Sequence, residues 1–282
     1  MNILYIAYSC NPFAGSEDKI GWCVPYESSK TNKVYVITKE EQREPVEKYL
    51  QSHPLENIKF YYVDIPNFYK KIFKGFMYSG RLNVWNKRAL PLAKKICADN
   101  KVDIVHQITP VEFRAIGDYG KIANIKFVCG PLGGGESLPN GLKDYAKGHE
   151  IIEVVRSGIN RWYRFKLRIT GKLNRCDYIM FANKETQDFL GLDENFPLVT
   201  EIAADEISIE KRTISNDIND ERVFLFAGRM VYRKGLELLF DAIMEIPDEW
   251  KYIVKIVGDG PDFLHLKHRC ESNSLLSAHV QF

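Results

Sequence analysis

The sequence predicts an α/β protein made of two doubly wound parallel domains, the second of them incomplete, and three features predict it. Short apolar runs alternate with helix-length segments along most of the chain. The first of these runs is followed closely by asparagine, proline and glycine. The alternation is interrupted once, near residue 200, and then restarts. With 282 residues, 45% of them hydrophobic and 27% charged, the chain is long enough for two domains and can bury their cores without cross-links.

Residues 2–8 form the first apolar run, ended by Asn11, Pro12 and Gly15, which reads as a buried parallel strand leading into a loop. Residues 33–38, 58–63, 103–106, 125–129 and 178–181 repeat the pattern. Together they define a first domain over 1–202. Residues 203–222 are polar, cluster Asn and Asp at 216–220 and have no apolar period, so they read as a linker. A second series then begins: a strand at 223–227, a helix at 235–246 with Leu236, Leu239, Phe240 and Ile243 on one face, a strand at 252–257 closed by Gly258-Asp259-Gly260-Pro261, a further helix, and the start of a strand at 278–282. About two βα units do not close an ordinary α/β core. The domain over 223–282 is therefore expected to be a truncated one.

The net charge of +2 gives no argument for nucleic acid. None of the six cysteines forms a C-x-x-C pair, and buried free thiols in a reducing compartment are expected. The N-terminus has neither the basic nor the long apolar region of a signal peptide, and no apolar run reaches transmembrane length; a cytoplasmic protein is expected. Two stretches are locally basic and aromatic. Residues 66–100 carry eight Lys or Arg against one acid, with Phe68, Tyr69, Phe73, Phe76 and Trp85, and residues 156–175 carry seven Lys or Arg and no acid, with Trp162, Tyr163 and Phe165.

The segment Gly228-Arg229-Met230-Val231-Tyr232-Arg233-Lys234-Gly235 follows a strand and opens a helix. A glycine at a strand end lets a phosphate approach the backbone, and a helix N-terminus offers free N–H groups at the positive end of its dipole. Arg229 and Lys234 add two cations, so the segment can hold a diphosphate without a metal; the plain alternative is a solvated helix start. Gly15 and Ser16 stand where the first helix should begin, at the carboxyl end of the first sheet, where their N–H groups can meet a phosphate or Ser16 can simply cap the helix. Gly133, Gly134 and Gly135 precede Glu136 in a loop that is entropically costly to order and makes sense where backbone approaches a ligand.

These motifs resemble family 4 ("group 1") glycosyltransferases of the two-Rossmann GT-B fold. The Gly228–Gly235 segment with the Gly258–Gly260 turn resembles the donor domain. Pro12-Phe13-Ala14-Gly15-Ser16-Glu17 with Gly21-Trp22, and Gly130-Pro131-Leu132-Gly133-Gly134-Gly135-Glu136, resemble loops of the exopolysaccharide and lipopolysaccharide type. The resemblance implies that Arg229 and Lys234 neutralise the donor diphosphate, with Gly228, Gly258, Gly260, Gly15 and Ser16 around it. It places Glu136 and the three glycines toward sugar or acceptor, and His106, at a strand end, on the acceptor side. In the family a second His often stands where this chain has Gln107. The family carries a Glu-x7-Glu motif further on than this sequence runs, so the polypeptide itself can be inactive.

The implied function is transfer of a sugar from a nucleotide diphospho-sugar to an acceptor hydroxyl, with retention and without metal or cofactor, in surface polysaccharide or glycolipid synthesis. The implied partners are that donor, a saccharide or lipid-linked acceptor and an anionic inner membrane face. The rivals are an inactive remnant, a binding-only module, a phosphorylase and a nucleotide-sugar epimerase of the same architecture. No Asp-x-Asp occurs, which argues against a metal-dependent transferase of the single-Rossmann type; His149-Glu150-Ile151-Ile152-Glu153 lacks the second zinc-binding His of a zincin, and no G-x-S-x-G or G-x-G-x-x-G is present, which sets aside those hydrolase and dinucleotide chemistries.

Overall fold

A strand buried on both faces must be apolar throughout, and the first strand, β1 (Asn2–Ala7), divides its side chains between two cores. In the computed structural model, which describes residues 1–192, 195–200, 221–247 and 249–282, Leu4 and Ile6 enter one core and Ile3, Tyr5 and Ala7 the other. The helix α1 (Glu17–Ser29) supplies Ile20 and Trp22 to the second core. The strand β2 (Lys33–Lys39) pairs with β1 in parallel, α2 (Arg43–Ser52) adds Val46 to the second core, and β3 (Ile58–Val63) pairs with β2. After α3 (Asn67–Ile72), the long helix α4 (Tyr78–Asn100) buries Leu82, Trp85, Ala89, Ala93 and Ile96 in the first core. Then come β4 (Ile104–Thr109), β5 (Lys126–Leu132), α5 (Glu150–Thr170), β6 (Tyr178–Phe181) and α6 (Lys184–Leu190). The six strands are parallel in the order β3-β2-β1-β4-β5-β6, so the winding reverses between β1 and β4. In such sheets ligands bind outside the carboxyl ends of the strands at that reversal.

Two strands run beyond their expected ends. β4 continues through Gln107 because the buried amide is satisfied: its Nε2 donates to Ala115 O at 3.0 Å, and its Oε1 accepts from Gly117 N at 2.8 Å. β5 continues through Gly130 and Pro131 because its register with β6 shifts between Cys129 and Leu132, and a strand tolerates proline at such an irregularity. His106, expected at a strand end, therefore lies within β4.

The chain divides into two units, Met1–Ser137 with Val154–Glu206, and Leu138–Glu153 with Ile207–Phe282. The expected linker, 203–222, lies outside the described residues up to 220. In the second unit β7 (Arg222–Ala227), α7 (Leu236–Met244), β8 (Tyr252–Val257), α8 (Phe263–Glu271), α9 (Ser274–His279) and β9 (Val280–Gln281) form a parallel sheet ordered β7-β8-β9. Its core joins Met230, Leu236, Phe240, Ile243, Val254, Ile256 and Leu266. β8 alternates buried and exposed side chains, whereas Val223, Phe224 and Leu225 of β7 are all exposed, as on an edge strand that is uncovered among the described residues. The segment Leu138–Glu153 groups with this second unit and not with the residues on either side of it.

Candidate functional site

In the first unit the loops after β1, β4 and β5 are tied to one another. The Thr109 hydroxyl accepts from Ser9 N at 3.0 Å and donates to Ser9 O at 2.9 Å, which joins the loop after β1 to the end of β4. Glu17, in the first turn of α1, accepts from Val111 N at 2.6 Å, and its carboxyl is held above the usual range, mainly by burial. Gly15 and Ser16 are exposed at the start of α1. Ser16 takes a positive φ of 55° and makes no side-chain capping bond, so its hydroxyl is not spent on the helix.

The Gly133–Glu136 loop is organised by its own glutamate. The Oε1 atom of Glu136 accepts from Gly134 N at 3.1 Å and Asn183 Nδ2 at 2.5 Å, and Arg156 pairs with Oε2 at 3.4 Å. Burial works against the ionised form, but these backbone and side-chain donors and the Arg156 charge outweigh it, and the carboxyl lies below the usual range. Asn183 also caps α6, accepting from Thr186 N at 2.9 Å, and Asn160 Nδ2 donates to Gly134 O at 3.0 Å. Gly135 is glycine for packing: a Cβ there would stand 2.8 Å from Thr186 Cα. Asn183, Thr186, Asn160 and Arg156 were not singled out from the sequence; the Asn-x-x-Thr start of α6 is the one signal that marked any of them, as a helix cap.

His106 pairs with Tyr5 in the register of β1 and β4, and its Nε2 lies 2.8 Å from Gly130 O. Burial pushes its pKa down to about 4, against the opposing effect of that hydrogen bond. A neutral ring facing a carbonyl must carry its proton on Nε2, so His106 donates to Gly130 O and fastens β4 to the start of the glycine loop.

In the second unit the sequence-expected residues converge on one place. Gly228 N donates to Val257 O at 2.9 Å, Met230 N to Asp259 O at 2.8 Å, and Asp262 N to Met230 O at 3.2 Å, so the 228–230 and 258–262 segments are sewn together. This close approach requires glycine. Gly258 has a φ of +145° and its Cβ would meet Gly228 O at 2.0 Å; a Cβ on Gly260 would meet Met230 O at 2.2 Å. A short 3-10 turn, Tyr232–Lys234, leads through Gly235 into the N-terminus of α7. Arg229 and Lys234 are exposed at the carboxyl end of β7, and neither side chain is in an ion pair or hydrogen bond among the described residues. Arg233, between them, is committed to Glu153.

Such an arrangement of two free cations, glycine backbone and a helix N-terminus suits an anion with several oxygens. The α/β fold with its six-stranded parallel sheet is GT-B-like. It matches the apo form of the lipopolysaccharide outer core galactosyltransferase WaaB with a TM-score of 0.56 at 15% identity, covering 100% of this chain and 67% of that one. It matches Anabaena HepE in complex with UDP with a TM-score of 0.54 at 13% identity, covering 100% of this chain and 68% of that one. Residues 208–282 match the family model "Glycosyl transferases group 1". No curated protein sequence matches the chain.

Proposed function

We propose that the protein binds a nucleotide diphospho-sugar and serves sugar transfer to an acceptor hydroxyl. The observation that carries this reading is the Gly228–Gly235 loop: Arg229 and Lys234 stand exposed between a strand end and a helix N-terminus, with no side-chain partner among the described residues, within the stretch that matches the group 1 family model. The two cations stabilise the charge that gathers on the diphosphate as it leaves. In a retaining transfer of this kind the bond from the anomeric carbon to the phosphate oxygen breaks, the acceptor oxygen bonds to the same face, and its proton passes to the leaving phosphate. With two side-chain cations at the phosphate, binding needs no divalent metal. The test is titration of the full chain with UDP, ADP and GDP in EDTA. Saturable binding of at least one supports the reading, and binding that appears only with Mg²⁺ counts against it.

The acceptor side belongs, on this reading, to the first unit, and its surface favours a lipid-linked acceptor in peripheral synthesis at the inner membrane face. Val155, Gly158, Trp162, Phe165 and Ile169 recur at helical spacing on α5; Trp162 is 59%, Phe165 55% and Ile169 65% exposed, with the cations Arg161, Lys166 and Arg168 among them. Phe68, Ile72, Met77 and Tyr78 form a second exposed apolar group around the start of α4, near Lys71 and Lys74. Glu112 bridges to Gly133 and accepts from the Ser79 hydroxyl at 2.5 Å, which places the start of α4 beside the glycine loop. Lys70 is not a free cation here, since it pairs with Glu41 at 2.7 Å and Asp64 at 2.6 Å. Among the described residues no helix is long and apolar enough to cross a membrane. Each free cation near an anionic surface contributes about 1 kcal/mol. Co-sedimentation with vesicles should rise with anionic lipid and fall with salt, and Trp162→Ser with Phe165→Ser should remove most of it. A wild-type chain that ignores anionic vesicles at low salt would sink the membrane part of the proposal.

A further inference from the structure

The segment Leu138–Glu153 reaches the C-terminal unit at three successive points. Tyr145 lines one cleft with Asp241 of α7, the His149 ring stacks on Tyr232 with centroids 4.1 Å apart and planes 17° apart, and Glu153 accepts from both the Tyr232 hydroxyl and the Arg233 guanidinium, the latter through Nε at 3.0 Å. The Glu153 side chain is 15% exposed and that of Arg233 is 40% exposed, so the pair is partly shielded from water. Tyr232 and Arg233 belong to the 3-10 turn of the diphosphate loop, a turn held internally by Lys234 N to Val231 O at 2.8 Å and Gly235 N to Tyr232 O at 3.1 Å.

A turn of this length has little stiffness of its own. One carboxylate that takes both of its middle side chains holds it in a single geometry. The same carboxylate neutralises Arg233, so that of the loop's three cations Arg229 and Lys234 are the two without a partner among the described residues. We propose that Glu153 is a positioning residue for the diphosphate loop, and that Leu138–Glu153 is a strap setting the geometry in which Arg229 and Lys234 meet a nucleoside diphosphate. The proposal rests on the functional reading above for its ligand, and on the contacts alone for the strap. Ordering a loop before its ligand arrives removes part of the entropy cost of binding.

The test uses the full chain and whichever of UDP, ADP and GDP binds most tightly. Glu153→Gln should weaken binding about tenfold with the melting temperature unchanged. Added to the Arg229→Ala and Lys234→Ala double variant, the same change should have no further effect, because both cations it positions are gone. Tyr232→Phe, which keeps the stacking on His149, should shift affinity in the same direction by less. Wild-type affinity in Glu153→Gln, or a full tenfold loss on top of the Arg229→Ala and Lys234→Ala double variant, overturns the proposal. Amide hydrogen exchange gives a readout that needs no nucleotide: Tyr232–Gly235 should exchange faster in Glu153→Gln, while β8 stays protected. Unchanged exchange there rejects the strap, whereas a wild-type chain that binds none of the three nucleotides while the exchange prediction holds rejects the functional reading and leaves the strap standing.

Discussion

Replacing both Arg229 and Lys234 by alanine is expected to weaken nucleoside diphosphate binding by ~3 kcal/mol or more, a hundredfold or more in Kd. Each side chain on its own should account for ~1.5–3 kcal/mol, the scale of a charge-assisted hydrogen bond. The fold should be untouched, because both residues are exposed and bond to no described neighbour. Calorimetric titration of the two single variants and the double variant measures this. A double variant that binds like the wild type would remove the diphosphate from this loop and with it the functional reading.

Gly258→Ala should have the larger effect on stability. Its backbone sits at φ +145°, which side-chain-bearing residues rarely adopt, and the added Cβ would lie 2.0 Å from Gly228 O, a backbone atom that can yield only by unseating the 228–230 segment. Strain and overpacking together should destabilise the second unit by ~3 kcal/mol or more. Hydrogen exchange should then show lost protection in β7 and β8 while β1 and β4 keep theirs. Gly15→Ala, where a Cβ meets nothing within 4 Å, is the matched control. Undiminished protection of β8 in Gly258→Ala would mean that the 228–230 and 258–262 segments are not joined as described.

The strands were legible in the sequence as short apolar runs: residues 58–63, 178–181 and 252–257 coincide with β3, β6 and β8, although none of these is buried on both faces. Strand ends were less legible. Gln107 reads as polar and Pro131 as a breaker, yet a satisfied amide and a register shift carry β4 and β5 past them. That moved His106 from a strand end to mid-strand, where burial keeps it neutral and Gly130 O takes its proton. The Gly228–Gly235 segment was legible as a strand-to-helix turn carrying glycine and three cations, since its residues are consecutive. The partners of Glu136 and Glu153 were not, because contacts such as Glu136 to Asn183 and Glu153 to Arg233 join residues far apart in the chain. No local periodicity or spacing reports such pairings.

On the proposed reading a nucleoside diphosphate sits on the Gly228–Gly235 loop without a metal. Its most direct test is a titration of isotope-labelled full-length chain with UDP in EDTA, followed amide by amide by NMR. The account predicts saturable shifts concentrated on Gly228, Arg229, Gly235 and Leu236, where backbone N–H groups lie at the strand end and helix start, with the same shifts when Mg²⁺ is supplied. Shifts that avoid this loop, or that arise only with Mg²⁺ present, would contradict it.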